Sequence, residues 1–237
     1  MPPESRTRSR ILDVAEDLFA SRGYKNVSLR ELTAAAEANL ASVRYYFGSK
    51  DQLLYAIYER YCTPLNNARL QRLAECAPGD GRPPMIEQII AAFLEPALDV
   101  SVDAVGGGAR FTRLRAVLIG ENLDFLEDLI ARNFDTTSLT FVEAIRKEFP
   151  ALGREEVLWR FSFVLGILHY MLIDPNRIRR LSRGRCDPGD SRTMARFLVP
   201  FIAEGFRAPG IDAPTTAVAP RAKAGRRTRR RDKETAA

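Results

Sequence analysis

Apolar residues recur at the spacing of an α-helix along almost the whole of this 237-residue chain. In the first segment, for example, Ile11, Ala15, Leu18 and Phe19 fall on one stripe of a helix. No run alternates between apolar and polar residues over the length of a strand, which is the pattern of a half-buried β-strand. Because stripes at helical spacing are buried by packing helices against one another, the sequence predicts an all-α protein.

Helix caps and helix breakers set the expected bounds of these helices. Gly23 and Gly48 are placed to end the first and third helices, and Ser28 and Ser49 are placed to cap the second and fourth. Pro64 is expected to bend or interrupt the long fourth helix. The expected helices are 5–22, 28–36, 40–47, a long helix from 49, and then 84–99, 110–119, 121–148, 153–173 and 189–206.

Charge and composition divide the chain into three parts. We expect an N-terminal domain at 1–50, a helical domain at 51–206 and a tail at 207–237. The tail holds nine basic and three acidic residues, so it carries the whole net charge of +6. It has too few large apolar residues to offset the entropy of ordering, which predicts disorder. Such a tail could bind DNA phosphates nonspecifically or be inert. The remainder is neutral, so composition permits nucleic-acid binding without establishing it.

Catalytic and metal-binding residue types are few and scattered. His169 is the only histidine and lies among apolar residues, and Cys62, Cys76 and Cys186 are far apart. No catalytic pair, metal site or cofactor site follows from them, so we do not expect an enzyme. The N-terminal apolar stretch carries charges throughout, and no uninterrupted apolar run has the length of a membrane span. We therefore expect a cytoplasmic protein with no membrane partner.

The first fifty residues predict a helix-turn-helix. Ser28 and Glu31 have the spacing of a capping box at the start of the second helix, and Asn39 can cap the third helix after a tight turn. Val43 and Phe47, four residues apart, would face inward. The other face of the third helix would then offer hydrogen-bonding and basic groups to the major groove of DNA, while the start of the second helix offers backbone donors to a phosphate. The groups on that face are Asn39, Ser42, Arg44, Tyr45, Tyr46 and, one turn on, Lys50.

Residues 8–60 resemble the DNA-binding region of TetR-type repressors. The residues that carry the resemblance are Ile11, Ala15, Leu18, Phe19, Gly23, Tyr24, Ser28, Tyr46, Phe47, Lys50, Leu53 and Leu54. Two positions depart from the family pattern. Glu37 stands where a turn glycine is frequent, and we expect it to keep ordinary helical-turn dihedral angles. Arg44 stands where a tyrosine is common, which could shift the base preference.

The resemblance implies a function and a set of contact residues. It implies a homodimeric TetR-like transcriptional repressor on a pseudo-palindromic double-stranded DNA operator, with recognition helices about 34–36 Å apart or a multiple of a turn. A small-molecule ligand in the helical domain would release the operator, and helices at 153–173 and 189–206 would form the dimer. The implied DNA contacts are Ser28, Asn39, Ala41, Ser42, Arg44, Tyr45, Tyr46 and Lys50. A transcriptional activator and a constitutive architectural DNA-binding protein remain as alternatives.

No set of polar residues identifies the ligand. Apolar and aromatic residues of the second domain are candidates to line its pocket, together with the single histidine. These candidates are Phe93, Phe111, Leu114, Phe125, Trp159, Phe163 and His169. For Trp159 and Phe163 the alternative is a place in the core or the dimer seam, and for His169 it is a structural place in the core. Near the N-terminus, Arg6, Arg8 and Arg10 form either a flexible arm that seeks phosphates or the solvated start of the first helix.

Overall fold

The computed structural model describes residues 3–76, 79, 83–103 and 105–211. Every regular element in these ranges is an α-helix, which confirms the predicted all-α class. The helices are α1 (Pro3–Arg22), α2 (Leu29–Ala35), α3 (Leu40–Phe47), α4 (Lys50–Glu75), α5 (Ile86–Val102), α6 (Gly108–Ile119), α7 (Leu126–Glu148), α8 (Arg154–Ile173), α9 (Pro175–Leu181) and α10 (Ser191–Arg207). The disordered tail was predicted at 207–237. That prediction is wrong for 207–211, since Arg207 belongs to α10 and Ala208 and Pro209 are held by Arg160, and residues 212–237 lie outside the described ranges.

Helices α1–α3 form a small N-terminal unit, the head. Its helices end where the sequence predicts, because Gly23 and Gly48 adopt the left-handed φ angles of +85° and +79° that glycine tolerates. The capping box at α2 is also present. The Ser28 hydroxyl oxygen accepts from the amide of Glu31 at 3.2 Å, and the Glu31 carboxylate accepts from the amide of Ser28 at 2.9 Å.

The head does not have a separate core. Its buried residues, among them Phe19 and Val43, belong to one cluster that continues through Tyr58 of α4 and Phe111 of α6. Pro64 does not interrupt α4, which runs unbroken from Lys50 to Glu75. Helix α4 therefore joins the head to the rest of the chain, and α6 packs directly against the head.

Helices α5–α10 form the body, whose own core lies among α5, α7, α8 and α10. Phe93 of α5 is at its centre, with ring centroids 5.0 Å from Phe141 and 5.1 Å from Phe161. Ile202 and Phe206 of α10 close this core. Such edge-to-face aromatic packing fixes the relative positions of α5, α7 and α8 around the interior of the body.

One helix prediction in the body is wrong, and one helix was missed. The helix predicted from residue 121 begins only at Leu126, because residues 120–125 form a turn in which Asn122 adopts a φ of +47°. The side chain of Glu121 in this turn binds the head. Helix α9 was not predicted. Its short, arginine-rich sequence has no apolar stripe long enough to indicate a helix, although a proline at its first position favours one.

Helix α8 is apolar on two sides. Val157, Phe161 and Val164 are buried in the body core, whereas Trp159 and Phe163 on the other side are 59% and 61% exposed. With a mean hydropathy of 1.4, α8 is the one helix of the described ranges that is long and apolar enough to cross a membrane by length and composition. Two apolar faces, one inside the core and one outside it, account for that composition.

The segment after α10 is fixed against α8. Arg160 donates to the carbonyl oxygens of Gly205, Phe206 and Ala208 at 2.8–2.9 Å and to that of Pro209 at 3.0 Å. Glu156 holds the same guanidinium at 2.5 Å. Ordered contacts of the body thus extend a few residues past 206.

Candidate functional site

The orientation of α3 is set by two buried side chains. Val43 is fully buried and Phe47 is 8% exposed, while Tyr45, between them in sequence, is 76% exposed. Because successive residues of a helix point about 100° apart, burying positions 43 and 47 turns position 45 outward. The sequence prediction of an inward pair and an outward polar face is therefore what the structure shows for α3.

Arg44 and Tyr45 are the free groups on that outward face. Both are exposed. The Arg44 side chain forms no hydrogen bond or ion pair with the described residues, whereas its backbone carbonyl accepts from the amide of Gly48 at 3.0 Å. The Tyr45 ring packs edge-on against half-buried Tyr46, with centroids 5.0 Å apart, and Tyr46 packs in turn on Phe47. Tyr45 is thus held in place while its hydroxyl remains accessible, as a base-edge or phosphate contact requires. Ala41 is exposed beside them.

Asn39 and Ser42 are engaged in the cap of α3. The Asn39 side-chain oxygen accepts from the amide of Ser42 at 2.7 Å and from its hydroxyl at 2.9 Å. The side-chain amide nitrogen of Asn39 therefore remains available to donate to a base or a phosphate. Ser28 is similarly engaged, since its hydroxyl donates to Glu31 at 2.8 Å.

The turn between α2 and α3 corrects one expectation. Glu37 adopts a φ of +45°, in the left-handed region, and does not keep the helical-turn dihedral angles expected for it. The chain reverses direction in this turn, and the amide of Ala38 donates to the Thr33 carbonyl at 2.9 Å. A residue in the left-handed conformation is needed to form this hydrogen bond. Arg10 stabilises it by donating to the Glu37 carbonyl at 2.9 Å.

The N-terminal arginines lie in helix. Arg6, Arg8 and Arg10 are all part of α1, and the Arg8 guanidinium is 5.2 Å from the ring centroid of Phe47. Of the two interpretations of these residues, the structure favours the start of a helix over a flexible arm.

Lys50 points toward the protein. Its amine donates to the Tyr24 carbonyl at 2.5 Å and lies 4.0 Å from the centroid of the Tyr24 ring. Burial lowers the pKa of Lys50, although nearby carboxylates such as Glu121 act in the opposite direction. To reach a phosphate the amine would have to exchange this carbonyl for the DNA backbone.

A central cavity of about 420 Å³ lies in the body, within the usual range for ligand sites. Helices α4 to α8 form its wall, with the lining residues Tyr58, Leu65, Arg69, Phe93, Arg115, Ile119, Ile130, Phe134, Asp135, Ser138, Ser162, Leu165, Gly166, Leu168, His169 and Leu172. Two of the seven predicted ligand-site residues, Phe93 and His169, are on this wall. The pKa of His169 is lowered, first by burial and then by the charge of Arg115.

The other five predicted ligand-site residues are elsewhere. Phe111, Leu114 and Phe125 pack in the cluster shared by the head, α4 and α6. Trp159 and Phe163 lie on the exposed side of α8. Their apolar character gave no information about which interior or surface they join.

Sequence reasoning missed the charged residues of the cavity wall. Arg69 is 4% exposed and Arg115 half-buried, and both line the cavity with Asp135. A signal for Arg69 was available: it lies four residues after Leu65 and seven after Cys62, on the buried stripe of α4. A charged residue on a buried stripe is rare and indicates a special role.

Helix α6 connects the cavity with the head. Its Arg110 donates to Glu16 of α1 at 3.1 Å and to Asp17 at 2.7 Å, and its Arg115 lines the cavity. The turn that follows α6 adds a second link, because the Glu121 carboxylate accepts from the amide of Tyr24 at 2.9 Å. A displacement of α6 would therefore be transmitted to α1 and to the turn before α2.

These features define a helical transcription regulator with an exposed recognition helix on a small head and a larger body that contains a cavity. Two family models match the chain: "Bacterial regulatory proteins, tetR family" over residues 11–57 and "Tetracyclin repressor-like, C-terminal domain" over residues 91–205. Together they span about two thirds of the chain. The chain belongs to the TetR family of DNA-binding transcriptional regulators.

Individual relatives agree with this assignment. The chain is 42% identical over 52 residues, 22% of its length, to an HTH-type transcriptional regulator in the dhlA 5′ region of Xanthobacter autotrophicus. It is 32% identical over 63 residues, 27% of its length, to the HTH-type transcriptional repressor NicS of Pseudomonas putida. The matches span only 26% and 30% of these two relatives.

The fold is similar to that of solved regulators. The fatty acid degradation regulator FadR from Bacillus halodurans superposes with a TM-score of 0.64 at 12% identity, over 87% of this chain and 98% of that one. At this identity the likeness shows the shared fold alone.

Proposed function

We propose that this regulator is a repressor that binds a pseudo-palindromic operator as a homodimer and releases it when a small organic molecule enters the central cavity. The observation that carries the proposal is the outward face of α3, where Arg44 and Tyr45 are exposed on a helix whose buried side is fixed by Val43 and Phe47. Arg44 can donate two hydrogen bonds to a guanine edge, which is the commonest specific protein–DNA contact.

The exposed apolar side of α8 supports the homodimer. Trp159, Phe163 and Tyr170 form a stripe on α8, and Phe197 and Phe201 on α10 are 70% and 69% exposed. Phe163 and Phe201 line the same surface groove, so the two stripes are continuous. A large exposed aromatic patch on a DNA-binding regulator is typical of a subunit interface. A two-fold axis through it would present two heads to the two half-sites of an operator.

Helix α6 supports the release step. Occupancy of the cavity that displaces Arg115 would also move Arg110, since both are on one rigid helix. Arg110 holds Glu16, which is fully buried in α1, so the head would follow. A ligand can shift the populations of two head positions only to the extent that it binds the protein more tightly in one position than in the other. The mechanism therefore requires a binding site on α6, and the cavity lined by Arg115 is the candidate that supports it.

Repression is favoured by the relative NicS, which is named a repressor. Family membership also supports a cytoplasmic location and a role in binding and not in catalysis. Basic residues after 211 would add to nonspecific affinity for DNA without reading sequence.

Footprinting of the full-length protein on the DNA that flanks its own coding region tests the proposal. We expect a protected site with two-fold symmetry. The variants Arg44→Ala and Tyr45→Ala should each lose about fivefold to more than a hundredfold in affinity for that site, since a good contact to a base edge contributes about 1–3 kcal/mol. Their affinity for unrelated DNA should change little.

Matched controls separate base reading from general charge effects. Arg146→Ala removes an arginine of α7, in the body, and should leave the footprint unchanged. A chain that ends at Ile211 keeps the contacts of Arg160 and should retain sequence discrimination while losing nonspecific affinity. Unchanged footprints for both the Arg44 and Tyr45 variants would refute the assignment of α3 as the reading helix. Loss of all discrimination on tail removal would favour an architectural DNA-binding protein.

A further inference from the structure

The central cavity contains two guanidinium groups that lack carboxylate partners. Arg69 of α4 donates through Nε to the Phe93 carbonyl at 2.8 Å and stacks 3.9 Å from the centroid of the Phe93 ring. Arg115 of α6 lies 5.3 Å from the centroid of the Phe134 ring. Among the described residues, neither guanidinium forms an ion pair with an aspartate or glutamate. This differs from other arginines of the chain such as Arg60 and Arg110, which are paired.

The buried Arg69 carries its charge at a cost. Burial lowers the pKa of Arg69, and the charge of Arg115 lowers it further. An arginine side chain still remains protonated near neutral pH, so two like charges repel each other inside the body. A charge this deeply buried is rare unless it is paired, and a pair that the chain does not supply can come from a ligand.

The other polar groups of the wall determine the charge of that ligand. Asp135 contributes one negative charge to the lining. Burial, and after it the charge of Arg115, lowers the pKa of His169, which favours its neutral form. Two arginines and one aspartate leave the cavity with a net charge of about +1, which one negative charge would balance.

The rest of the wall is uncharged and mostly apolar, with the hydroxyl groups of Tyr58, Ser138 and Ser162 as its other polar atoms. Leu65, Phe93, Ile119, Ile130 and Leu168 line most of the space of about 420 Å³. Ile119 and Ile130 are 44% and 40% exposed, so the cavity is open to solvent on their side. A ligand that fits this wall has a hydrophobic body and one charged end.

We propose that the molecule recognised by the central cavity is an amphipathic organic monoanion, a carboxylic acid whose carboxylate lies between Arg69 and Arg115 and whose apolar part packs against Phe93 and the leucine and isoleucine side chains. This inference rests on the proposed function, since it names the chemical class of the ligand that acts there. A planar carboxylate accepts two parallel hydrogen bonds from a guanidinium, and such charge-assisted pairs are stronger than neutral ones. Because Arg115 belongs to α6, a carboxylate bound beside it would also act on that helix.

Calorimetric titration of the full-length protein with matched probes tests the class. The probes are decanoate with 1-decanol, and 2-naphthoate with 2-naphthol, so that each pair differs in the anionic group and the two pairs differ in an aliphatic or aromatic body. We expect at least one carboxylate to bind at least about tenfold more tightly than its alcohol, and to raise the melting temperature accordingly.

Two arginine variants on α6 assign the effect to the cavity. Arg115→Met should weaken carboxylate binding at least about tenfold and leave binding of the alcohol little changed. Arg113→Met, on the same helix but exposed and outside the cavity, should change neither. Arg69→Met is a weaker test, because loss of the bond to the Phe93 carbonyl could unfold the body.

The outcomes separate this inference from the proposed function. Equal binding of acid and alcohol, binding unaffected by Arg115→Met, or no carboxylate binding by a protein that still protects its operator would overturn the monoanion proposal alone. Carboxylate binding by a protein that shows no specific footprint would support the cavity assignment and refute the repressor proposal.

Discussion

Replacement of Arg110 by methionine is a direct test of how the body holds the head. Arg110 joins α6 to α1 through Glu16 and Asp17, and the hydrogen bond with Asp17 is the main reason that the pKa of Arg110 is raised. Glu16 is fully buried and keeps two other partners: the Tyr61 hydroxyl donates to it at 2.9 Å, and Arg60 lies 3.7 Å away. Methionine preserves much of the apolar stem of arginine and removes only the charge and its hydrogen bonds.

The expected loss follows from the charge that remains. Removal of one partner of a buried ion pair costs about 3–5 kcal/mol when the other charge is left without compensation. Since Tyr61 and Arg60 still contact Glu16, we expect Arg110→Met to lower the free energy of unfolding by about 2–3 kcal/mol at pH 8. Burial already raises the pKa of Glu16. When the pKa of a carboxyl group is higher in the folded than in the unfolded protein, the folded protein becomes less stable as pH rises. The free energy of unfolding that Arg110→Met loses should therefore be smaller at pH 5 than at pH 8.

Urea denaturation at fixed protomer concentration, followed by circular dichroism, measures this loss. The double variant Glu16→Gln/Arg110→Met should recover about 1–2 kcal/mol relative to Arg110→Met, because the buried charge is gone while an acceptor for Tyr61 remains. A change below about 0.5 kcal/mol for Arg110→Met would refute the reasoning, as would a double variant no more stable than the single one.

Three further predictions concern the head and the dimer. Val43→Ala should lower the free energy of unfolding, measured by urea denaturation, by about 2 kcal/mol, because buried apolar surface is lost and a cavity is left. Tyr45→Ala should change it by less than about 0.5 kcal/mol. Similar losses for both variants would contradict the orientation of α3. The hydrogen bond from the Ser28 amide lowers the pKa of Glu31 to about 2. The stability that this cap contributes should therefore fall as pH drops from about 4.5 to about 2. In thermal melts, the melting temperature of Glu31→Gln should depend less steeply on pH in this range. Phe163→Asp should yield monomers in light scattering with unchanged helicity; a persistent dimer would place the interface elsewhere.

The sequence predicts the head well because its signals are local. Ser28, Asn39 and Gly48 act through contacts within a few residues, so the bounds of α2 and α3 follow from their identities and spacing. The inward pair of α3 follows from helical periodicity alone. Glu37 was an exception, because its left-handed conformation is imposed by closure of the turn and by Arg10 from another helix.

The cavity and the subunit surface could not be predicted in the same way. Helix α8 has apolar residues on two sides, and periodicity does not tell which side faces the core and which faces outward. Phe111 and Phe93 are equally apolar, yet one packs against Tyr58 and Tyr61 and the other lines the cavity. Their environments depend on which stripes meet, which is a property of the packed helices together.

Helix caps and apolar periodicity act over a few residues. The all-α class, the helix ends of the head and the face of α3 that carries Arg44 and Tyr45 therefore follow from the amino-acid sequence. Tertiary structure alone decided that Arg69 and Arg115, from different helices, share one cavity without a carboxylate partner. It also decided that Glu121 and Arg110 tie the body to the head. The physical reason is that burial and charge pairing depend on distances between segments remote in the chain, which only packing fixes.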